Sequence, residues 1–345
     1  MDQPRRGPGE GAQAAAGQSP ATSQEPLTTA YSRVPHALAV VLTVAVFPLI
    51  WVGGLVTTYD AGMAVPDWPG TYGWNMFAYP VSTWLYGPFD LLVEHSHRLL
   101  GSLAGFLSIG LVLAAFRYDA RRWFRWWCVG VLLAVVAQGL LGGARVVLDQ
   151  RTFAMIHGCT GPLFFAMATA TAVVSSRWWV GHCLPGSTRR WVAWWATALV
   201  AASYSQLIVG AQLRHVTAAI SHSAFMGFVH MHLTLAALVS LLALVLAAFL
   251  TFSRRMTPAV RWPAQLLAAV VVVQIGLGIG TWIVNYALPW SEMTDFLAEY
   301  TILAKGYWES FMVTAHMATG SLVISLATVV ALRAWRSSQL VRYSS

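Results

Sequence analysis

Charge is scarce in this sequence. Only 10% of its 345 residues are Asp, Glu, Lys or Arg, against 57% apolar residues and a mean hydropathy of +0.60. A soluble domain carries roughly 25% charged residues as its polar skin, so the composition excludes a water-soluble fold for most of the chain. Cysteine is scarce too. Cys128, Cys159 and Cys183 lie far apart and form no C-x-x-C pair, which gives no basis for a disulfide framework or a thiolate zinc site. No apolar h-region precedes residue 37, so no cleavable signal peptide is expected. The acids Asp2, Glu10 and Glu25 argue against the acid-poor helix of a mitochondrial presequence. Long alternating polar and apolar segments are missing, which excludes membrane-spanning strands. The net charge of +8 does not point to nucleic acid, because the basic residues sit mostly in short loops between apolar runs, where they report topology.

What is present is a set of eight apolar runs, each reaching the ~20 residues a helix needs to cross a bilayer. They fall near 36–58, 92–116, 124–147, 153–176, 191–213, 226–252, 262–285 and 309–333. The expected fold is an all-α membrane protein with eight transmembrane helices. Arginines sort onto one side: Arg5, Arg6 and Arg33 before span 1, Arg117, Arg121, Arg122 and Arg125 between spans 2 and 3, and Arg177, Arg189 and Arg190 between 4 and 5. Arg254, Arg255 and Arg261 follow between 6 and 7, and Arg333, Arg336 and Arg342 after span 8. The opposite loops are poorer in arginine and carry Asp60, Asp67, Asp90, Asp149, Glu292, Asp295, Glu299 and Glu309. The positive-inside rule then makes both termini cytoplasmic. Residues 1–35 read as a disordered tail and 336–345 as a short C-terminal tail. The outer segments 59–91 and 286–308 are long, the second with acids and aromatics suited to an amphipathic helix.

The two halves repeat each other. Span 4 holds His157-Gly-Cys-Thr160-Gly161 and span 8 holds His316-Met-Ala-Thr319-Gly320. Span 3 has Gln138-x-x-Leu141-Gly142 and span 7 has Gln274-x-x-Leu277-Gly278. Span 2 places His97 four residues before Gly101, and span 6 places His232 four before Ala236. Spans 1 and 5 end on Gly53-Gly54 and Gly210-Ala211. A tandem duplication of four helices accounts for this, with a first bundle over 36–180 and a second over 181–335.

His97, His157, His232 and His316 each lie one to two turns inside the outer end of a span, ~6–10 Å below the surface at the helical rise. Two imidazoles per half at one depth are what two bis-histidine haem sites require. Copper or zinc is the competing reading, but no carboxylate or cysteine completes a tetrahedral set beside each pair. Gly101, Gly142, Gly143, Gly158, Gly161, Gly278 and Gly320 would let a porphyrin approach, and equally suit helix–helix contact. Arg145 and Arg214, at the outer ends of spans 3 and 5, are placed to meet propionates or simply to snorkel. His36, His95, His182, His215, His222 and His230 read as interfacial histidines.

The halves differ at one point. Glu94-His95-Ser96-His97-Arg98 opens span 2, and charged groups this close to hydrocarbon mark a functional site by default. Glu94 shares a helix face with His97, and nearly so with Arg98. The second half has Val229 and Leu233 where the first has Glu94 and Arg98. A partly desolvated acid beside a porphyrin can shuttle protons; the plainer reading is a Glu94–Arg98 interface pair.

Taken together, Glu94-x-x-His97-Arg98, Gln138-x-x-Leu141-Gly142-Gly143, His157-Gly, Gln206-x-x-x-Gly210-Ala211-x-x-Arg214-His215, His232 and His316-Met-x-x-Gly320 resemble the haem A synthase family over about residues 36–333. The resemblance implies that haem O binds between His97 and His157, with Arg98 alongside. It further implies that the ring methyl of haem O is oxidised to a formyl group by successive hydroxylations with O2, with Glu94 as the required acid. A resident haem b, its iron held by His232 and His316, would pass electrons from a donor. Haem O synthase and the terminal oxidase are the expected partners, in the cell membrane with the haem sites toward its outer side. Two features depart from the family pattern: the outer-loop cysteine pair of many bacterial relatives is missing, and the His-Arg of span 6 is His232-Leu233 with His230 two residues away. His232 is preferred because it alone aligns with Ala236 as His97 does with Gly101. The competing functions are a di-haem b-type cytochrome relaying electrons from quinol and a haem or small-molecule transporter. The unmatched Glu94 disfavours the first, and the lack of charge deep in the spans disfavours the second.

Overall fold

A computed structural model describes residues 31–181, 188–215, 220–253, 257–286 and 306–340. Eight long helices run through them: α1 (Arg33–Thr58), α2 (Phe89–Tyr118), α3 (Arg122–Leu148), α4 (Arg151–Val174), α5 (Arg190–Arg214), α6 (His222–Phe252), α7 (Pro258–Tyr286) and α8 (Tyr307–Leu340). All eight are long and apolar enough to cross a membrane. Short helical turns at Ala61–Met63, Val81–Leu85 and Arg177–Val180 complete the described elements, and no strand occurs among the described residues. Of the expected tail over 1–35, residues 1–30 fall outside them, while Arg33 to Pro35 open α1 instead, with Pro35 buried; of the segment 286–308 expected to hold an amphipathic helix, residues 287–305 fall outside them. Residues 336–340, expected in the C-terminal tail, continue α8 instead. They carry Arg336, which donates to the Trp179 carbonyl at 3.1 Å, and the buried Ser337 and Ser338, so packing holds the helix past the end of its apolar run.

The local chemistry explains the ends. Ser32 and Ser221 accept N–H groups from Val34 and Ala224 at the starts of α1 and α6, meeting donors that the first helical turn leaves open. Within the helices, hydroxyls such as Thr43, Ser108, Thr171 and Ser240 donate to the carbonyl four residues back. That bond removes a polar group from hydrocarbon without an external partner.

Buried apolar side chains gather in two clusters. One is built from α1 to α4 around Leu42, Leu111, Phe124 and Val131, with α8 packed against it through Leu322 and Leu332. The other is built from α5 to α8 around Leu199, Leu246, Leu250 and Leu267. Large apolar residues such as Val44, Leu113, Leu133 and Val272 face outward, as lipid-facing positions should. Polar ties join the clusters: Thr169 to Ser325 at 3.3 Å in the middle, and Arg214 to the Gly54 carbonyl at 2.9 Å at the end of α5.

Phe124 is fully buried and Trp126 is 65% exposed. Phe124→Ala should lower stability by about 3–5 kcal/mol through the cavity it leaves, while Trp126→Ala should cost under about 1 kcal/mol. Thermal unfolding of the purified protein in detergent checks both.

Candidate functional site

Four histidines form two pairs. The His97 and His157 ring centroids are 6.1 Å apart with planes at 87°, and those of His232 and His316 are 6.3 Å apart at 67°. Each ring rests against a glycine on the preceding helix. A Cβ added at Gly53 of α1 would come within 2.7 Å of the His97 ring, and one at Gly142 of α3 within 3.4 Å of His157. At Gly210 of α5 and Gly278 of α7 the corresponding approaches to His232 and His316 are both 3.0 Å. Four times, then, a bare helix surface receives an imidazole, tightly enough at Gly53, Gly210 and Gly278 that a side chain would press on the ring, and in ordinary contact at Gly142.

The same places bear on the ring tautomers. The carbonyls of Leu49, Gln138, Gln206 and Gln274 act on His97, His157, His232 and His316 respectively, and each lies four residues before the cradling glycine. All four Nδ1 atoms are buried and none closes a hydrogen bond. A proton on Nδ1 facing that carbonyl leaves Nε2 as the lone-pair nitrogen, the usual outer support of a metal-ligating histidine. At His232 the Gln206 amide donates to Nε2 at 3.2 Å, which agrees with a lone pair there. The other repeated glutamines tether the histidine helices: Gln138 donates to Thr160 Oγ1 at 2.6 Å, and Gln274 to the His316 carbonyl at 3.0 Å.

The geometry fits iron in a macrocycle. A metal about 2 Å from each of two opposed nitrogens, each about 1.1 Å from its ring centre, would hold the centroids about 6 Å apart. Among the described residues no group of three or more His, Cys, Asp or Glu comes together, so the pairs suit a metal that brings its other ligands with it. Beside the first pair, a Cβ at Gly101 or Gly158 would meet nothing within 4 Å, leaving open ground for a flat ring.

Segment 59–88 folds over the end of α2 and α3. Glu94, 3% exposed, is paired with Arg98 Nη2 at 2.7 Å and accepts the Val65 N–H at 3.1 Å on its other oxygen. Arg98 also donates to the carbonyls of Asp67 at 2.6 Å, Gly70 at 2.7 Å and Val65 at 2.9 Å. Asp67 in turn accepts the Tyr72 and Gly73 N–H groups. Burial opposes its ionisation, but those two N–H groups and Arg98 outweigh it and hold the carboxyl below its usual range. Burial, reinforced by Tyr79 and nearby acids, raises the Tyr72 phenol. The Trp68 ring lies on Gly143, where a Cβ would fall 2.4 Å from it, and the Arg145 guanidinium lies on Gly62.

His95, expected at an interface with water, is instead 1% exposed. Thr71 lies 3.2 Å from its Nδ1, and the Trp84 and Tyr79 rings are at 4.9 and 5.5 Å. The folded segment buries it, which the position of His95 at the end of an apolar run could not reveal. In the second half Val229 is buried, Leu233 is exposed, and His230 is exposed.

Arg214, considered for a propionate, donates to the Gly54 carbonyl and to Thr58 Oγ1. Arg145 acts electrostatically on both His97 and His157. His215, just past α5, is pushed down to about 4 by burial and by Arg214, Arg145 and Arg151, which gives a neutral ring within a basic cluster. Gly53 and Gly210 were visible in the sequence as repeat-matched helix ends; their contact with the imidazoles was not.

No curated protein matches the chain. The COX15-CtaA family model, described as cytochrome oxidase assembly protein, matches residues 36–302. With that match over most of its length, this chain belongs to the COX15-CtaA family of cytochrome oxidase assembly proteins, the haem A synthase family.

Proposed function

We propose that the protein is a haem A synthase, converting the ring methyl of haem O to a formyl group by successive hydroxylations with O2. The observation that carries this reading is the asymmetry of two otherwise matched imidazole pairs: among the described residues, Glu94 and a folded segment stand beside the first, and Val229 holds the position matching Glu94 beside the second. Haem O would bind in the bundle over 36–180 between His97 and His157. Haem b would reside in the bundle over 181–335, its iron on His232 and His316, and when bound it supplies one-electron transfer. Each hydroxylation consumes one O2, two electrons and two protons and releases one water. The second product, a geminal diol, loses water to give the formyl group.

The protein's own residues bind, orient and shield. His97 and His157, backed by Gly53 and Gly142, fix the plane of the substrate. The conversion requires Glu94. Arg145 faces the first pair electrostatically and would meet a propionate there, as Arg214 would between the halves. Segment 59–88 would keep water from the first site. The arginine distribution supports cytoplasmic termini, a cell-membrane location and haem sites toward the outer side, with haem O synthase and the terminal oxidase as partners.

Glu94→Ala should leave haem bound and stop its conversion, so pigment extracts would contain haem O or a hydroxylated intermediate; a normal haem A yield contradicts the assignment. His232→Ala should lower haem b content measured by its Soret absorbance, and unchanged occupancy would transfer the ligand role to His230. Gly278→Val should likewise displace His316 and reduce haem b occupancy while leaving the first site loaded.

A further inference from the structure

We infer that Glu94 and Arg98 are positioning residues that pin residues 61–74 beside the first imidazole pair, and that conversion depends on Glu94 through this pinned segment rather than through proton transfer by its carboxylate. The inference deepens the haem A synthase reading and rests on it.

The bonds carry the argument. The two terminal nitrogens of Arg98 have four N–H groups, and four acceptors take them: the carbonyls of Val65, Asp67 and Gly70, and Glu94 Oε1. Those four bonds tie the end of the Arg98 guanidinium to the segment. Both oxygens of Glu94 are occupied as well, one by Arg98 and one by the Val65 N–H. Each oxygen keeps one free lone-pair site, but a proton taken there would cancel the charge that holds Arg98 and so loosen the pinned segment.

The pinned segment reaches the site from the other side. Trp68 lies on Gly143, next to the Gly142 that cradles His157, and Gly62 lies on Arg145, which acts on both His97 and His157. Thus α2 grips the segment through Glu94 and Arg98, and the segment presses on α3 at the residues bordering the first pair. The second half has Val229 and Leu233 at the gripping positions, and only residues 215–221 separate α5 from α6. Among the described residues, the half expected only to relay electrons shows no counterpart of the Glu94–Arg98 grip.

Three full-length variants, purified with bound haem, separate positioning from acid chemistry: Arg98→Leu, Glu94→Ala and Glu94→Gln. Each is measured for haem A yield in pigment extracts and for amide hydrogen exchange of peptides covering 61–74. Arg98→Leu, which keeps the carboxylate, should lower conversion at least tenfold and raise exchange in that segment at least tenfold, as Glu94→Ala should. Glu94→Gln keeps an oxygen for Arg98, so it should retain more than a tenth of the conversion with a smaller rise in exchange. A Glu94→Gln protein as inactive as Glu94→Ala, with exchange at the unmodified level, would assign the chemistry to the carboxylate and overturn the inference. So would normal conversion in Arg98→Leu despite a loosened segment, or unchanged exchange in Arg98→Leu and Glu94→Ala. If the unmodified protein makes no haem A at all, the functional reading fails by itself, and the exchange measurements still decide whether the pair pins the segment.

Discussion

Everything in this molecule turns on the seating of an imidazole against a bare stretch of neighbouring helix. A histidine inside an apolar bundle has two nitrogens to satisfy, and water is not at hand. The protein solves this four times in the same way. A glycine lets the ring approach the adjacent helix, a carbonyl one turn earlier acts on the ring, and a second imidazole stands 6.1 or 6.3 Å away, centre to centre. Helix order, small residues near the helix ends and the glutamine tethers all follow from keeping those four seats at matching depth.

The repetition makes the differences informative. Both halves supply the same paired imidazoles at nearly the same separation. Among the described residues, only one invests a buried ion pair, an aspartate fed by backbone N–H groups and several aromatic side chains in a folded segment beside its pair. A buried ion pair is weak evidence of stability in itself, because desolvation offsets much of its attraction. Its presence beside one pair and its replacement by Val229 and Leu233 at the other point to a local requirement instead.

Much of this was legible in the sequence. The eight spans stand out because lipid demands unbroken apolar length, and their cores match the helices. The ends match less well: α6 begins at His222 rather than near 226, and α7 at Pro258 rather than near 262. There a Ser221 cap and polar first turns carry the helix beyond the apolar window. The histidine and glutamine repeats were legible because duplication preserves spacing. The cradling role of Gly53 and Gly210 was not, since it depends on contact between separate helices. Nor was the burial of His95, which depends on Tyr79 and Trp84 folding back over α2.

The double glycine near the end of α1 has a consequence for the relation between the halves. Gly53 faces His97, while Gly54 faces Met317 and Thr314, which flank His316 in the sequence of α8, and the Gly54 carbonyl receives Arg214 from α5. One turn of naked backbone is therefore the partition between the two imidazole pairs. The separation there is set by main chain, which cannot swing aside as a side chain can: bulk at position 53 would press on the first pair, and bulk at position 54 on the helix that carries His316.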